Sequence, residues 1–344
     1  MKLTLFINPE HRPTDSLPQR LAEHVEQVKL ARQLGYDGIT IGQHMSYGSS
    51  AWLPPLHTLA RLAAVDETMS LATSMLILPW YHPLHIAQEA ALIDAMCGGR
   101  LTLGVAPGWQ EDEFRIIDLE HKKRMSRFAE GVDLIRRLWT EDEVTFQGKH
   151  FQADKLTLAL KPQRKPRPPM WFGGSVKAAV ERAATMCDTT LGDTWVSSAH
   201  LAHDVIIEQA QAFRAVLTAE GKPQPAELPL IRNIIVAKDR DTAIREAAPA
   251  LAESYKLFGK WGLFTNVVGS GKEQLELEEL IGGRVIIGSP EECAQDLIRL
   301  GREAGCNRII TRVQWMGMDQ RLVLRSIEML ANDVMPIVRK ALAS

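Results

Sequence analysis

Cysteine is scarce in this chain: Cys97, Cys187, Cys293 and Cys306 are the only four in 344 residues, and no two form a CxxC pair. That pattern argues against a thiolate metal centre or a disulfide framework. It fits buried thiols in a reducing, cytoplasmic setting. An excess of charge of one sign is also missing. Lys and Arg number 40 against 42 Asp and Glu, a net charge of −2, so no field draws the chain to nucleic acid or to an anionic membrane. No apolar run is long enough to span a bilayer. The opening LTLFIN is strand-like and lacks a charged region followed by a long apolar core, so no export signal is expected. Finally, no GxGxxG follows the first strand, which weakens a dinucleotide-binding, doubly wound fold.

What is present is an apolar fraction of 45%, enough for a sizeable core, and a repeated alternation of short apolar runs with helical patterns. The stretch from Met69 to Trp109 shows the unit most clearly. Leu71–Leu78 is a nearly unbroken apolar run, the pattern of a strand buried on both faces. Pro79 ends it, and Pro83 suits a first helical turn, where its missing N–H would be unpaired anyway. Across Leu84–Met96, Ile86, Ala90 and Ile93 recur at helical spacing until Gly98 and Gly99 stop the helix. Leu101–Ala106 is a second buried strand, and a strand–helix–strand of this length forces a parallel pair with a right-handed crossover.

Further strands are expected at Leu3–Asn8, Gly38–Ile41, Met170–Gly173, Thr189–Leu191, Leu230–Val236 and Arg308–Val313. Helical patterns separate them, among them Pro18–Leu34, Lys122–Trp139, Val176–Met186, His200–Ala219 and Pro290–Ala304. Eight strand candidates in alternation predict an eightfold parallel β/α barrel over residues 1–344, a single domain with two insertions. One, near 141–168, holds a hairpin at Glu143–Phe151 and a proline-broken connector whose Lys161, Arg164, Lys165 and Arg167 read as solvated. The other, Gly259–Arg284, is glycine-rich and reads as a lid over the site.

Barrel enzymes keep their chemistry at the C-terminal ends of the strands, so residues there are the candidates. Gly173, Gly174 and Ser175 follow a strand and open a helix, where free backbone N–H groups suit a phosphate; a plain tight turn is the other reading. Arg124 and Arg127 begin the long helix and either pair that phosphate or stay solvated. His44 follows the second strand, where an imidazole can accept or deliver a proton. Tyr47 shares its loop, His82 follows the LILP strand end, and Trp109 and Glu113 lie beyond the fourth strand as pocket walls.

Five segments carry a resemblance: LATSMLILPWYHP, DAMCGGRLTLGVAPGWQEDEF, RMSRFAEGVDLIRRLW, PPMWFGGS and VIIGSPEECAQDLIRLGREAGCNRII. In this order they resemble the bacterial luciferase-like superfamily of flavin-dependent monooxygenases and oxidoreductases. The resemblance implies a β/α barrel that uses reduced FMN and molecular oxygen on a small organic substrate, with a separate flavin reductase as partner and often a homodimer. It places a non-prolyl cis peptide at Ser74–Met75 against the flavin ring, Ala106 beside it, Trp195 at the next strand end, and His44 as the catalytic histidine. A deazaflavin-dependent reductase or dehydrogenase is the alternative within the superfamily. Those dehydrogenases pair the histidine with a tryptophan four residues on and a glutamate after the glycine past the fourth strand. Here Gly48 and Trp109 stand there, which favours FMN. Light emission is not implied, because Ala106 replaces the reactive cysteine of luciferase. A non-catalytic flavin-binding barrel is a third reading.

Overall fold

The computed structural model describes residues 1–261 and 282–343, so most of the expected lid, Gly259–Arg284, lies outside the described residues. Among the described residues nine parallel strands run side by side through one curled sheet, joined by the short strand Leu76–Ile77 off that path: β1 (Lys2–Ile7), β2 (Gly38–Ile41), β3 (Ser70–Thr73), β4 (Leu101–Ala106), β5 (Met170–Gly173), β6 (Thr194–Val196), β7 (Pro229–Val236), β8 (Val285–Gly288) and β9 (Arg308–Arg312). Their order is β6-β5-β4-β3-β2-β1-β9-β7-β8. At the seam between β6 and β7, Ser197 Oγ accepts from the Ile231 N–H at 3.2 Å. β7 is long enough to serve two neighbours. Pro229–Asn233 pairs with β9, and Asn233–Val236 pairs with β8.

Helices follow the strands: α1 (Leu17–Gln33), α2 (Pro55–Ala63), α3 (Pro83–Met96), α4 (Glu111–Ile116), α5 (Arg124–Thr140), α6 (Lys177–Met186), α7 (His203–Ala219), α8 (Arg240–Lys260), α9 (Pro290–Arg299), α10 (Gln320–Met329) and α11 (Met335–Ala343). Their ends follow from local chemistry. Pro83 opens α3, and Gly98 and Gly99 take φ of +64° and +80° just past its end, where a side chain would be strained. Ser289 and Glu292 close a reciprocal capping box at α9.

The period of two along each strand sorts side chains between two cores. Phe6, Ala72, Trp171, Val196, Ile231 and Ile310 point inward and fill the barrel. Their neighbours Leu5, Leu71, Phe172, Trp195 and Leu230 point outward into the larger core under the helices. Each such buried side chain contributes about 1.5–3 kcal/mol.

Four sequence expectations change. The sixth strand is Thr194–Val196; Thr189–Leu191 is a single tight turn capped by Asp188. The expected Leu71–Leu78 strand stops at Thr73, and after the Ser74–Met75 peptide only Leu76–Ile77 pairs again, with β4. β8 was hidden, because its VIIG is only four residues long and adjoins an irregular stretch. The basic connector is not all solvated. Arg167 is buried, and its two Nη atoms reach Asp193 at 2.8 Å each, where Arg136 and the Met170 N–H also bind. Asp193 so ties β5, β6 and α5 together. The 141–168 hairpin is present as Val144–Gln147 against Gln152–Leu156.

Candidate active site

At the strand ends, β2 to β5 contribute small residues. The Ser74–Met75 peptide is cis, and the Met75 side chain lies across Gly104 and Gly173. A Cβ on Gly173 would sit 2.8 Å from Met75 Cγ and 3.3 Å from Ala106 Cβ, and one on Gly104 would strike the Thr73 carbonyl. The hydroxyls along this arc are paired. Thr40 Oγ1 bonds Ser74 Oγ at 2.7 Å, and Thr73 Oγ1 both donates to the Gly104 carbonyl and accepts from its N–H. The result is a shallow slot whose walls are backbone, a methionine and an alanine.

Beyond the slot, α6 begins without a side-chain cap, so the N–H groups of Lys177 and Ala178 have no side-chain cap partner, while the Ala179 N–H donates to the Val176 carbonyl at 2.9 Å. The turn before it is pinned from behind: Trp195 Nε1 donates to the Gly174 carbonyl and Gln209 Nε2 to the Ser175 carbonyl, both at 2.9 Å. Trp195 is fully buried, its ring 6.1 Å from Phe213 of α7, so it supports the turn from outside the barrel and does not line the slot. Arg124 Nη1 donates to the His121 carbonyl at 3.1 Å. Burial, then the nearby Arg182, pulls its pKa below the usual range. Among the described residues neither arginine forms an ion pair, so two guanidiniums stand close with no bonded carboxylate. Sequence reading chose Arg127 as the second arginine. Its Nε instead donates to the Pro79 carbonyl at 2.7 Å, and its guanidinium lies 4.5 Å over Phe151 of the hairpin. His82 joins it there, exposed, capping α3 and 5.3 Å from the same ring. Neither belongs to the group around His44.

His44 sits between the slot and the opposite arc. Glu113 of α4, 1% exposed, takes both His44 Nδ1 at 2.9 Å and the Met45 N–H at 2.8 Å on one oxygen. That oxygen already acts as an acceptor, so Nδ1 carries the hydrogen and Nε2 keeps its lone pair. Four aromatic rings enclose the imidazole: Trp52 at 4.8 Å, Trp261 at 5.3 Å, Trp109 at 6.2 Å and Phe258 at 6.3 Å. Tyr47 accepts from Gln110 Nε2 at 2.6 Å, and burial and then the Glu113 charge raise its phenol pKa. A glutamate therefore does reach the histidine, with Trp52 beside it: Glu113, expected from the sequence as a pocket wall, is its hydrogen-bond partner.

The arc from β1 through β9 to β7 is built differently. Arg312 ends β9 and extends over the barrel, 5.6 Å from the Phe6 ring and 5.8 Å from Phe258. Its Nη2 is 3.7 Å from Glu10 Oε2. Burial pushes the Glu10 carboxyl up, while Arg312 and then His44 pull it down; burial is the larger effect. Sequence reading missed Glu10, Arg312, Arg182 and Trp52. Glu10 and Arg312 had a usable signal: Arg312 is the last residue of β9, and Glu10 lies three residues past the end of β1. Among the described residues no group of three or more His, Cys, Asp or Glu is placed to hold a metal, and no helix is long and apolar enough to cross a membrane.

A pocket of this kind at the strand ends of a β/α barrel marks an enzyme built on that fold. The chain belongs to the luciferase-like monooxygenase family, whose profile matches residues 1–308, and it is an oxidoreductase of that family. It is 27% identical over 340 residues to a 4-hydroxyprotoasukamycin monooxygenase from Streptomyces nodosus subsp. asukaensis, covering 96% of this chain and 90% of that protein. It is 26% identical to the oxygenase component of a flavin-dependent trigonelline monooxygenase from Acinetobacter baylyi, covering 76% and 72%. A monooxygenase from Streptomyces bottropensis shares the fold, with a TM-score of 0.84 at 22% identity over 98% of this chain and 99% of the other.

Proposed function

We propose that the protein is the oxygenase of a two-component system, which takes reduced FMN from a separate flavin reductase and uses molecular oxygen on a small organic substrate. The observation that carries this reading is the continuity of the site: a backbone-walled slot, an anion-ready turn at its far end, and an enclosed histidine at its near end. Reduced FMN bound there supplies the electrons that divide oxygen between substrate and water. Met75, Ala106 and Gly173 hold the flat ring. The N–H groups of Ser175 and the start of α6 take the phosphate, with Arg124 and Arg182 balancing its charge. His44 accepts or returns a proton at Nε2, and Glu113 holds its tautomer and steadies the imidazolium. The aromatic rings around His44 keep water out, which protects oxygen chemistry from wasteful side reactions.

FMN fluorescence titration followed by anaerobic mixing with oxygen tests the reading. Binding, slow reoxidation of bound reduced FMN, and a His44→Ala variant that keeps FMN affinity but loses turnover about 10²-fold or more are expected. Reoxidation as fast as that of free reduced FMN overturns the oxygenase role. A second reading, a deazaflavin-dependent oxidoreductase, is favoured by the His44–Glu113 pair with Trp52 beside it. One relative, 27% identical over 339 residues, is an F420-dependent glucose-6-phosphate dehydrogenase from Kribbella flavida. Tighter binding of the deazaflavin in the same titration selects that reading.

A further inference from the structure

The charged arc of the mouth holds hydrogen-bonding capacity that the chain does not use. Asn8, Glu10, Asn233 and Arg312 are each no more than 5% exposed. Yet among the described residues Asn8 Oδ1, both Glu10 carboxylate oxygens, Asn233 Oδ1, and Nε and Nη2 of Arg312 have no hydrogen-bond partner. The amide orientations are set by the bonds that do exist: Asn8 Nδ2 donates to the Glu10 carbonyl and Asn233 Nδ2 to the Tyr255 hydroxyl, both at 2.8 Å. Arg312 and Glu10 stand 3.7 Å apart, too far for a hydrogen bond and near enough that each neutralises the other's charge. Folded proteins seldom leave buried polar atoms unpaired, and several together mark a place that a ligand completes. The slot across the mouth has its hydroxyls paired, at Thr40, Thr73 and Ser74.

The pairing rules narrow the ligand. Arg312 only donates, and an ionised Glu10 only accepts. An anion would satisfy Arg312 and be repelled by Glu10; a cation would do the reverse. An alkane serves neither, and a simple ketone leaves Glu10 unpaired. A group with an acceptor next to a donor serves both and leaves the net charge unchanged. The rings of Phe6 and Phe258 flank the guanidinium, so a flat ligand finds flat walls.

We propose, resting on the oxygenase reading above, that this arc binds the organic substrate, and that the substrate is a small planar ring with a carbonyl-type acceptor beside an N–H or O–H donor, as in a cyclic amide. The acceptor faces Arg312 and the donor faces Glu10. The free oxygens of Asn233 and Asn8 receive a second donor on the same ring.

Calorimetric titration of the full chain with FMN bound tests this, using 2-pyridone, N-methyl-2-pyridone and benzoate. The first has the donor–acceptor edge, the second lacks the donor, and the third is an anion without one. The expected result is 2-pyridone binding about tenfold or more tighter than either, with that preference gone in a folded Glu10→Leu/Arg312→Met double variant. Equal affinities, or benzoate binding tightest, overturn the proposal, and so does a double variant that folds and keeps the preference. The wild-type series decides the matter if the double variant does not fold. Repeating it without FMN separates the two readings: failure of FMN to bind removes the flavin assignment, while the ring preference still scores the arc.

Discussion

The two arcs of the barrel mouth obey opposite rules. From β2 to β5 the wall is glycine, alanine, serine and one methionine, and its hydroxyls are paired. From β1 through β9 to β7 the wall is arginine, glutamate and asparagine, buried and, among the described residues, partly unpaired. The first is a surface shaped in advance for something flat and close. The second holds charge at a cost that only a balanced partner offsets. Removing one member of that balance gives the largest expected effect. Arg312→Met leaves Glu10 as an uncompensated buried charge and lowers stability by about 3–5 kcal/mol in urea denaturation, whereas the Glu10→Leu/Arg312→Met double variant regains most of the loss. If the single and double variants unfold alike, the pair does not act as a balanced unit.

The charged side is also the acid-sensitive side. His11, next to Glu10, and His24 of α1 are buried with rings 5.3 Å apart. Burial, then Arg20, lowers His11 to about 4; burial, then His11, lowers His24 to about 3. Both folded values lie below the unfolded value near 6.5, so the unfolded chain binds more protons once pH falls below about 6.5, and stability falls with it. Well below pH 6.5 each histidine removes about 1.4 kcal/mol per pH unit; between pH 6.5 and 5.5, where the unfolded imidazole passes from half to mostly protonated, each removes about 1 kcal/mol and the two together about 2 kcal/mol. Denaturation curves of the wild type and of His24→Phe at those two pH values measure it: the variant should lose about 1 kcal/mol less over the interval, the remaining slope coming from His11 and from His200 and His203, which burial also lowers. A flat response places this acid sensitivity elsewhere.

The small arc breaks in a different way. A methyl group on Gly104 collides with the Thr73 carbonyl, which is backbone and has little room to move. Gly104→Ala therefore costs about 1–3 kcal/mol of stability and shifts Met75. FMN affinity should fall with it, whereas Arg312→Met leaves FMN affinity near wild type. If both variants weaken FMN equally, the arcs do not have separate tasks.

This contrast explains what was legible in the sequence. The β–α–β unit of Leu71 to Ala106 and the Gly173–Ser175 turn were readable because local patterns fix them: apolar runs, a proline, paired glycines. β6 was misplaced by five residues because Thr189–Leu191 and Thr194–Val196 are equally short, and only the long-range grip of Asp193 on Arg167 and Arg136 decides between them. Trp195 was expected to face the slot, but the alternation that sends Val196 inward sends it outward. Glu10 and Arg312 are 302 positions apart and meet only when β1 pairs with β9, so no window along the chain shows them together.

His44 stands where the arcs meet, and its glutamate tests whether they communicate. Glu113→Gln keeps an oxygen that accepts from the Met45 N–H, so the loop stays in place and stability changes little. What disappears is the negative charge beside Nδ1. A neutral amide still orients the ring but stabilises the imidazolium less, so turnover should fall about tenfold, worth about 1.4 kcal/mol, and its pH profile should move toward lower pH. FMN affinity should not change, because Glu113 does not touch the slot formed by Met75, Ala106 and Gly173. A steady-state pH profile beside an FMN titration reads both quantities. An unshifted profile with reduced turnover would mean that Glu113 acts only by holding the loop, and His44 would then work without help from a buried charge.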